Sequence, residues 1–108
     1  MSKQRILDLS VFEEETLDIK MPDGKSIHIP KPSQSMVIKL FRMQKQLSGS
    51  DNEAQLNAFN TFVLDVLNIN NGGYVFDVET VEAMPLAMKS AIIKAYSDFI
   101  ADIQSDPN

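Results

Sequence analysis

Apolar and polar residues alternate twice near the start of the chain. Ile6 to Phe12, "ILDLSVF", alternates over most of its length and reads as a short strand or a loosely docked arm. Leu17, Ile19 and Met21 then alternate with Asp18 and Lys20, a period of two that predicts a half-buried strand. Pro22-Asp23-Gly24 is turn chemistry: proline presets φ, aspartate bonds the backbone beyond it, and glycine accepts a positive φ. Ile27 and Ile29 resume the alternation around His28, so Leu17 to Ile29 is predicted to form a β-hairpin. Pro30 and Pro32 end it, because neither can donate to a ladder. An isolated hairpin is marginal in water. Its inner face, Leu17, Ile19, Met21, Ile27 and Ile29, is expected to pack on the helices, with its outer edge free for another chain.

The period then changes to that of a helix. Ser33 or Ser35 is placed to cap a helix carrying Met36, Val37, Leu40, Met43 and Leu47, which Ser48-Gly49 stops. "SDNE", Ser50 to Glu53, has capping-box spacing ahead of an apolar face of Leu56, Phe59, Phe62, Val63, Val66 and Leu67. "NINNGG", Asn68 to Gly73, closes that helix, since asparagine and glycine tolerate the left-handed conformation. Tyr74 to Phe76 is a short apolar bridge, and Asp77 can cap a brief turn through Val78 to Ala83. Pro85 suits the first turn of a last helix with Met88, Ile92, Ala95, Tyr96, Phe99, Ile100 and Ile103 on one stripe. Lys89, Lys94, Asp98 and Asp102 are assigned largely outside that stripe. The predicted fold class is α+β and mostly helical, a β-hairpin on a three- to four-helix body. One domain is expected, with an arm and hairpin over 1–32, a helical body over 33–104 and a frayed tail over 105–108.

Composition narrows this picture without redrawing it. A chain of 108 residues can bury one modest core, and 44% apolar residues argue against disorder. There are no cysteines, so disulfides and thiolate metal sites are ruled out. No secretory apolar run or membrane-spanning stretch is visible, and the expected compartment is the cytoplasm. The net charge of −5 is uneven: residues 1–48 carry eight Lys/Arg against six Asp/Glu, and residues 49–108 carry two against nine. Five basic residues and no acid lie between Lys25 and Lys45, which opens a nucleic-acid reading. Aromatic and glycine-rich binding signatures are missing, so the preferred reading is a solvated basic face, or one that meets an acidic face within a chain or between copies.

Chemistry is sparse. His28 is the single histidine and falls on the polar phase of the hairpin, which points to an exposed residue rather than a catalytic one. "PDGK" lacks the helix and glycine spacing of a phosphate loop, and Gly72-Gly73 is no dinucleotide fingerprint. Glu13 to Glu15 reads as a solvated run. Asp98 and Asp102 share one exposed helix face, where like charges usually only solvate. No enzyme activity, catalytic residue, metal or cofactor is expected. Met36, Met43, Met84 and Met88 lie on or near apolar helix faces, where thioethers fill irregular cores more often than they line adaptable surfaces, so core is the preferred reading. Phe41 sits off the stripe of its helix, and Tyr74 and Phe76 crowd a connector, so some of these side chains should stay exposed and mark a protein contact. With the basic Lys39, Arg42 and Lys45 they make up the candidate protein-binding surface.

The order of parts resembles the small tail assembly chaperones of long-tailed phages and prophages. The resemblance lies in size, acidity and element order, and in "VETVEAMPLAMKSAIIKAYSDFI", Val78 to Ile100. It transfers no catalytic or ligand residue. It implies a non-enzymatic protein that coats the aggregation-prone tape-measure protein and recruits tail-tube subunits through apolar helix faces, with possible self-association. Members of that family are often made in two forms by ribosomal frameshifting. The closing Asp106-Pro107-Asn108 is compatible with a slippery codon run. The competing reading is a small nucleic-acid-binding or regulatory protein that uses Lys25 to Lys45.

Overall fold

The Pro-Asp-Gly turn folds the first two strands back on each other. In this computed structural model, which describes residues 5–10, 15–49 and 51–105, β1 (Thr16–Lys20) pairs antiparallel with β2 (Ser26–Pro30), Ile19 opposite Ile27 and Asp18 opposite His28. The Gly24 N–H donates to the Met21 carbonyl at 2.9 Å, and the Met21 N–H to the Lys25 carbonyl at 2.7 Å. This is a type I turn followed by a left-handed residue, Gly24 at φ 89°, a connection whose twist suits a hairpin. The Asp23 carboxylate accepts from the Lys25 N–H at 2.9 Å and braces the turn.

Four helices follow: α1 (Gln34–Gly49), α2 (Asn52–Asn68), α3 (Val78–Ala83) and α4 (Leu86–Ser105). The expected α+β, mostly helical class is the one observed. Ser33 caps α1, its hydroxyl accepting from the Met36 N–H at 3.2 Å. Asp77 caps α3 and accepts from the Thr80 N–H at 2.8 Å and the Thr80 hydroxyl at 2.7 Å. Those two bonds, the hydroxyl's first, hold the Asp77 carboxyl below its ordinary range, so this cap persists until acid protonates it. The cap of α2 is Asp51, which accepts from the Ala54 N–H at 2.8 Å. The predicted capping residue Ser50 lies outside the described residues, as do Val11, Phe12, Glu13, Glu14 and Asp106 to Asn108. Pro85 stands one place ahead of α4, and its carbonyl accepts from the Met88 and Lys89 N–H groups.

α1 and α2 form an antiparallel helical pair. The Leu47 carbonyl at one end accepts from the Gln55 side chain at 2.9 Å, and toward the other end Lys39 faces Asp65 at 3.7 Å. The core is one cluster in which Ile27 and Ile29 of the hairpin meet Met36, Leu40 and Met43 of α1, Phe62, Val63, Val66 and Leu67 of α2, Val81 of α3 and Ile92, Tyr96, Phe99 and Ile100 of α4. The hairpin thus covers the helices, as its alternation predicts. Fully burying each such side chain contributes roughly 1.5–3 kcal/mol, which makes this shared cluster the source of cooperativity.

Three placements depart from the sequence reading. Leu56 and Leu47 were assigned to buried stripes but are exposed, because both lie near the α1–α2 connection, where no third element covers them. Of the two readings of the first segment, the strand is absent from its described part: Ile6, Leu7 and Leu9 are exposed and Leu9–Ser10 is 3₁₀, so over these residues it is an arm. Lys89, expected outside the apolar stripe, is only 6% exposed. Its stem packs inward while its ammonium donates to the Asn60 side-chain amide oxygen at 2.8 Å, which supplies the polar partner that burial requires.

A candidate protein-binding groove

Asparagine side chains build the wall that sequence periodicity left as a connector. The Asn70 amide nitrogen donates to the Leu67 carbonyl at 2.7 Å and the Tyr74 carbonyl at 2.8 Å. Its oxygen accepts from the N–H of Gly72 at 3.0 Å and of Tyr74 at 3.2 Å. Asn68 grips Phe76 in the same way, donating to its carbonyl at 3.1 Å and accepting from its N–H at 2.7 Å. The Asn71 N–H donates to the His28 carbonyl at 2.9 Å and ties this loop to β2. Gly73 has φ 76°, and a Cβ on Gly72 would meet Cε2 of Tyr74 at 2.8 Å. Gly73 is thus required by the loop's path, and a side chain at Gly72 would displace the Tyr74 ring. Gly73→Ala is expected to cost about 1–2 kcal/mol, read as a lowered urea midpoint with an unchanged slope.

This loop, the hairpin turn and the α3–α4 corner enclose an open groove of about 430 Å³. Met21 and Pro22 of the hairpin turn, Tyr74 and Phe76 of the loop, and Met84 and Met88 of the α3–α4 corner line it. The polar groups in it are few: Asp23, Lys25 and Thr80. The Lys25 ammonium stands 4.5 Å from the centre of the Tyr74 ring, a cation–π contact that fixes the ring at the mouth. Val75 is 90% exposed at the rim, and Val78 and Leu86, at the starts of α3 and α4, are also exposed. Met84 and Met88, which the sequence reading favoured as core, are half-buried and line the groove while touching the core.

The predicted surface residues therefore divide. Tyr74 and Phe76 join the groove. Lys39 and Arg42 line a second, more polar depression between α1 and α2, of about 510 Å³, with Gln46, Asn57 and Asp65. Phe41 and Lys45 lie on α1 outside both, Phe41 being 58% exposed. The basic segment is partly answered within the chain, by Asp65 opposite Lys39, Glu15 3.7 Å from Lys31 and the Tyr74 ring beneath Lys25.

His28 lies on the outer face of the hairpin, as its phase predicts. Its Nδ1 is 2.7 Å from the Asp18 carboxylate, which also accepts from the Thr16 hydroxyl at 2.6 Å. The Thr16 bond first, and then the His28 bond, lower the Asp18 pKa. Asp98 pairs with Lys94 at 3.0 Å one turn away. Among the described residues no three His, Asp or Glu side chains gather at metal-binding range, and no helix is long and apolar enough to cross a membrane. No protein family, curated protein sequence or solved structure matches the chain.

Proposed function

We propose that the protein is a non-enzymatic tail assembly chaperone of a long-tailed phage or prophage, acting in the host cytoplasm, which holds the tape-measure protein and recruits tail-tube subunits. The observation that carries this reading is the open, methionine-lined groove beside Tyr74 and Phe76, set in a chain of net charge −5. Thioethers adapt to many apolar shapes, which suits repeated weak contacts along a long helical partner. The acidic balance keeps a coated assembly soluble. The order of elements that supports the resemblance is also the order in the structure: hairpin, two paired helices, a short helix and a long terminal helix.

Co-expression with a helical fragment of a tape-measure protein from a long-tailed phage tests the proposal. The expected result is a soluble complex, with Val75→Glu and Met84→Glu each weakening capture at least tenfold while circular dichroism stays unchanged. A fragment that stays insoluble with the wild type, or a complex insensitive to both variants, overturns it. The competing nucleic-acid reading draws less support, since three of the five cations between Lys25 and Lys45 face partners in the chain. Binding to duplex DNA with a steep salt slope would favour it instead.

A further inference from the structure

The two edges of the hairpin are not equivalent. The turn bonds of Met21 set the phase of the ladder, so Leu17 and Ile19 exchange bonds with β2, while the backbone groups of Thr16, Asp18 and Lys20 point away from it. On β2 the outward groups belong to Ser26, His28 and Pro30. That edge is partly blocked: the His28 carbonyl accepts from the Asn71 N–H, and Pro30 has no N–H to offer. Among the described residues, no backbone group outside the hairpin bonds the outer edge of β1. Side-chain burial follows the same asymmetry. Ile27 and Ile29 are fully buried, whereas Leu17, Ile19 and Met21 remain half-exposed beside the open edge.

We infer that β1 pairs antiparallel with β1 of a second copy, centred on Ile19, joining two hairpins into one four-stranded sheet. Leu17-Asp18-Ile19-Lys20-Met21 reads apolar, acid, apolar, base, apolar, and is complementary to itself when reversed. In that register Ile19 meets Ile19 of the second copy and Leu17 meets Met21, all on the inner face. Asp18 stands opposite Lys20 on the outer face, twice across the two-fold axis, as an opposite-charge cross-strand pair. The backbone phase agrees, because Asp18 and Lys20 carry the outward N–H and carbonyl groups and can exchange four hydrogen bonds. A register moved by two residues, with Asp18 facing Asp18 or Lys20 facing Lys20, loses both charge pairs, which selects this one. The inference is independent of the client proposed above.

Charge reversal tests it in the full chain. The wild type is expected to self-associate with increasing concentration in sedimentation velocity. Lys20→Glu and Asp18→Lys, each placing two like-charge pairs across the axis, are expected to weaken self-association roughly tenfold or more. An equimolar mixture of the two variants restores opposite charges at every position and is expected to recover the dimer, as is the double variant. Circular dichroism confirms that each variant is folded. A wild type that stays monomeric at its highest soluble concentration overturns the inference. So does a dimer that ignores both single variants but is lost on removing residues 1–10, which would assign the contact to the exposed arm. Failure of the mixture to recover the dimer overturns the register.

Discussion

Tyr96→Ala is expected to lower the unfolding free energy by about 3–5 kcal/mol, whereas Tyr96→Phe is expected to leave it unchanged or raise it by about 1 kcal/mol. Tyr96 is fully buried at the centre of α4, its ring 5.9 Å from that of Phe62 and tilted by 59°. Alanine therefore loses the transfer energy of a large ring and leaves a cavity between α2 and α4. The hydroxyl is a different matter, because among the described residues it finds no hydrogen-bond partner. A buried hydroxyl without a partner is a standing penalty, and phenylalanine removes it while keeping the ring.

Alkaline pH separates the two contributions. Burial pushes the Tyr96 pKa from its ordinary 10.0 up to about 12. The unfolded chain therefore loses this proton first as pH rises. The group's contribution to stability is intact below pH 10 and drains away between about 10 and about 12. Urea titrations across that window should show the wild type losing stability faster than Tyr96→Phe. Parallel curves for the two proteins would mean that the hydroxyl has a partner or water that the packing does not reveal.

Asn70→Ala is expected to cost about 2 kcal/mol and to dissolve one wall of the groove. Its side chain replaces a missing strand: two carbonyls and two N–H groups of the Leu67–Tyr74 loop depend on it. Hydrogen exchange at the amides of Gly72 and Tyr74 should accelerate, and the Lys25–Tyr74 contact should be lost with them. Asn71→Ala is the control, since Asn71 offers its backbone N–H to His28 and alanine keeps that group. Its cost should stay within about 0.5 kcal/mol. Equal effects of the two substitutions would mean that the loop is held by packing rather than by Asn70.

What the sequence disclosed followed from how local each signal was. The hairpin, its glycine turn and the outward His28 were all legible because alternation and turn chemistry are nearest-neighbour effects. The Asp77 cap and its short helix were legible for the same reason. Lys89 was misplaced although the clue was present. It stands three and seven residues before Ile92 and Tyr96, squarely on the buried stripe, but charge was taken as a sign of solvent. Only the three-dimensional arrival of Asn60 reveals why a lysine fits there.

The groove was half legible. Tyr74 and Phe76 stood out as aromatic residues in a connector, yet nothing local joins them to Met21, more than fifty residues earlier. Asn68 and Asn70 were read as helix stops, because their amides' reach to Phe76 and Tyr74 depends on how the loop turns after α2. The basic face of α1 was read as one unit. The antiparallel packing against α2 splits it by bringing Asp65 to Lys39 and leaving Lys45 and Phe41 outside.

The hairpin's inner face bears on how the chain comes to be made. It is synthesised before the helices that share its core cluster, α4 among them, and before the loop that reaches His28. A nascent chain emerging from the ribosome therefore carries Ile27 and Ile29 incompletely covered until α4 is out, while α1 and α2 can already pair through local contacts. The hairpin is translated before the helix that completes its cover. During that interval the bare strand is open to capture by a neighbouring nascent chain, so polysomes are a natural place for copies of this protein to find one another.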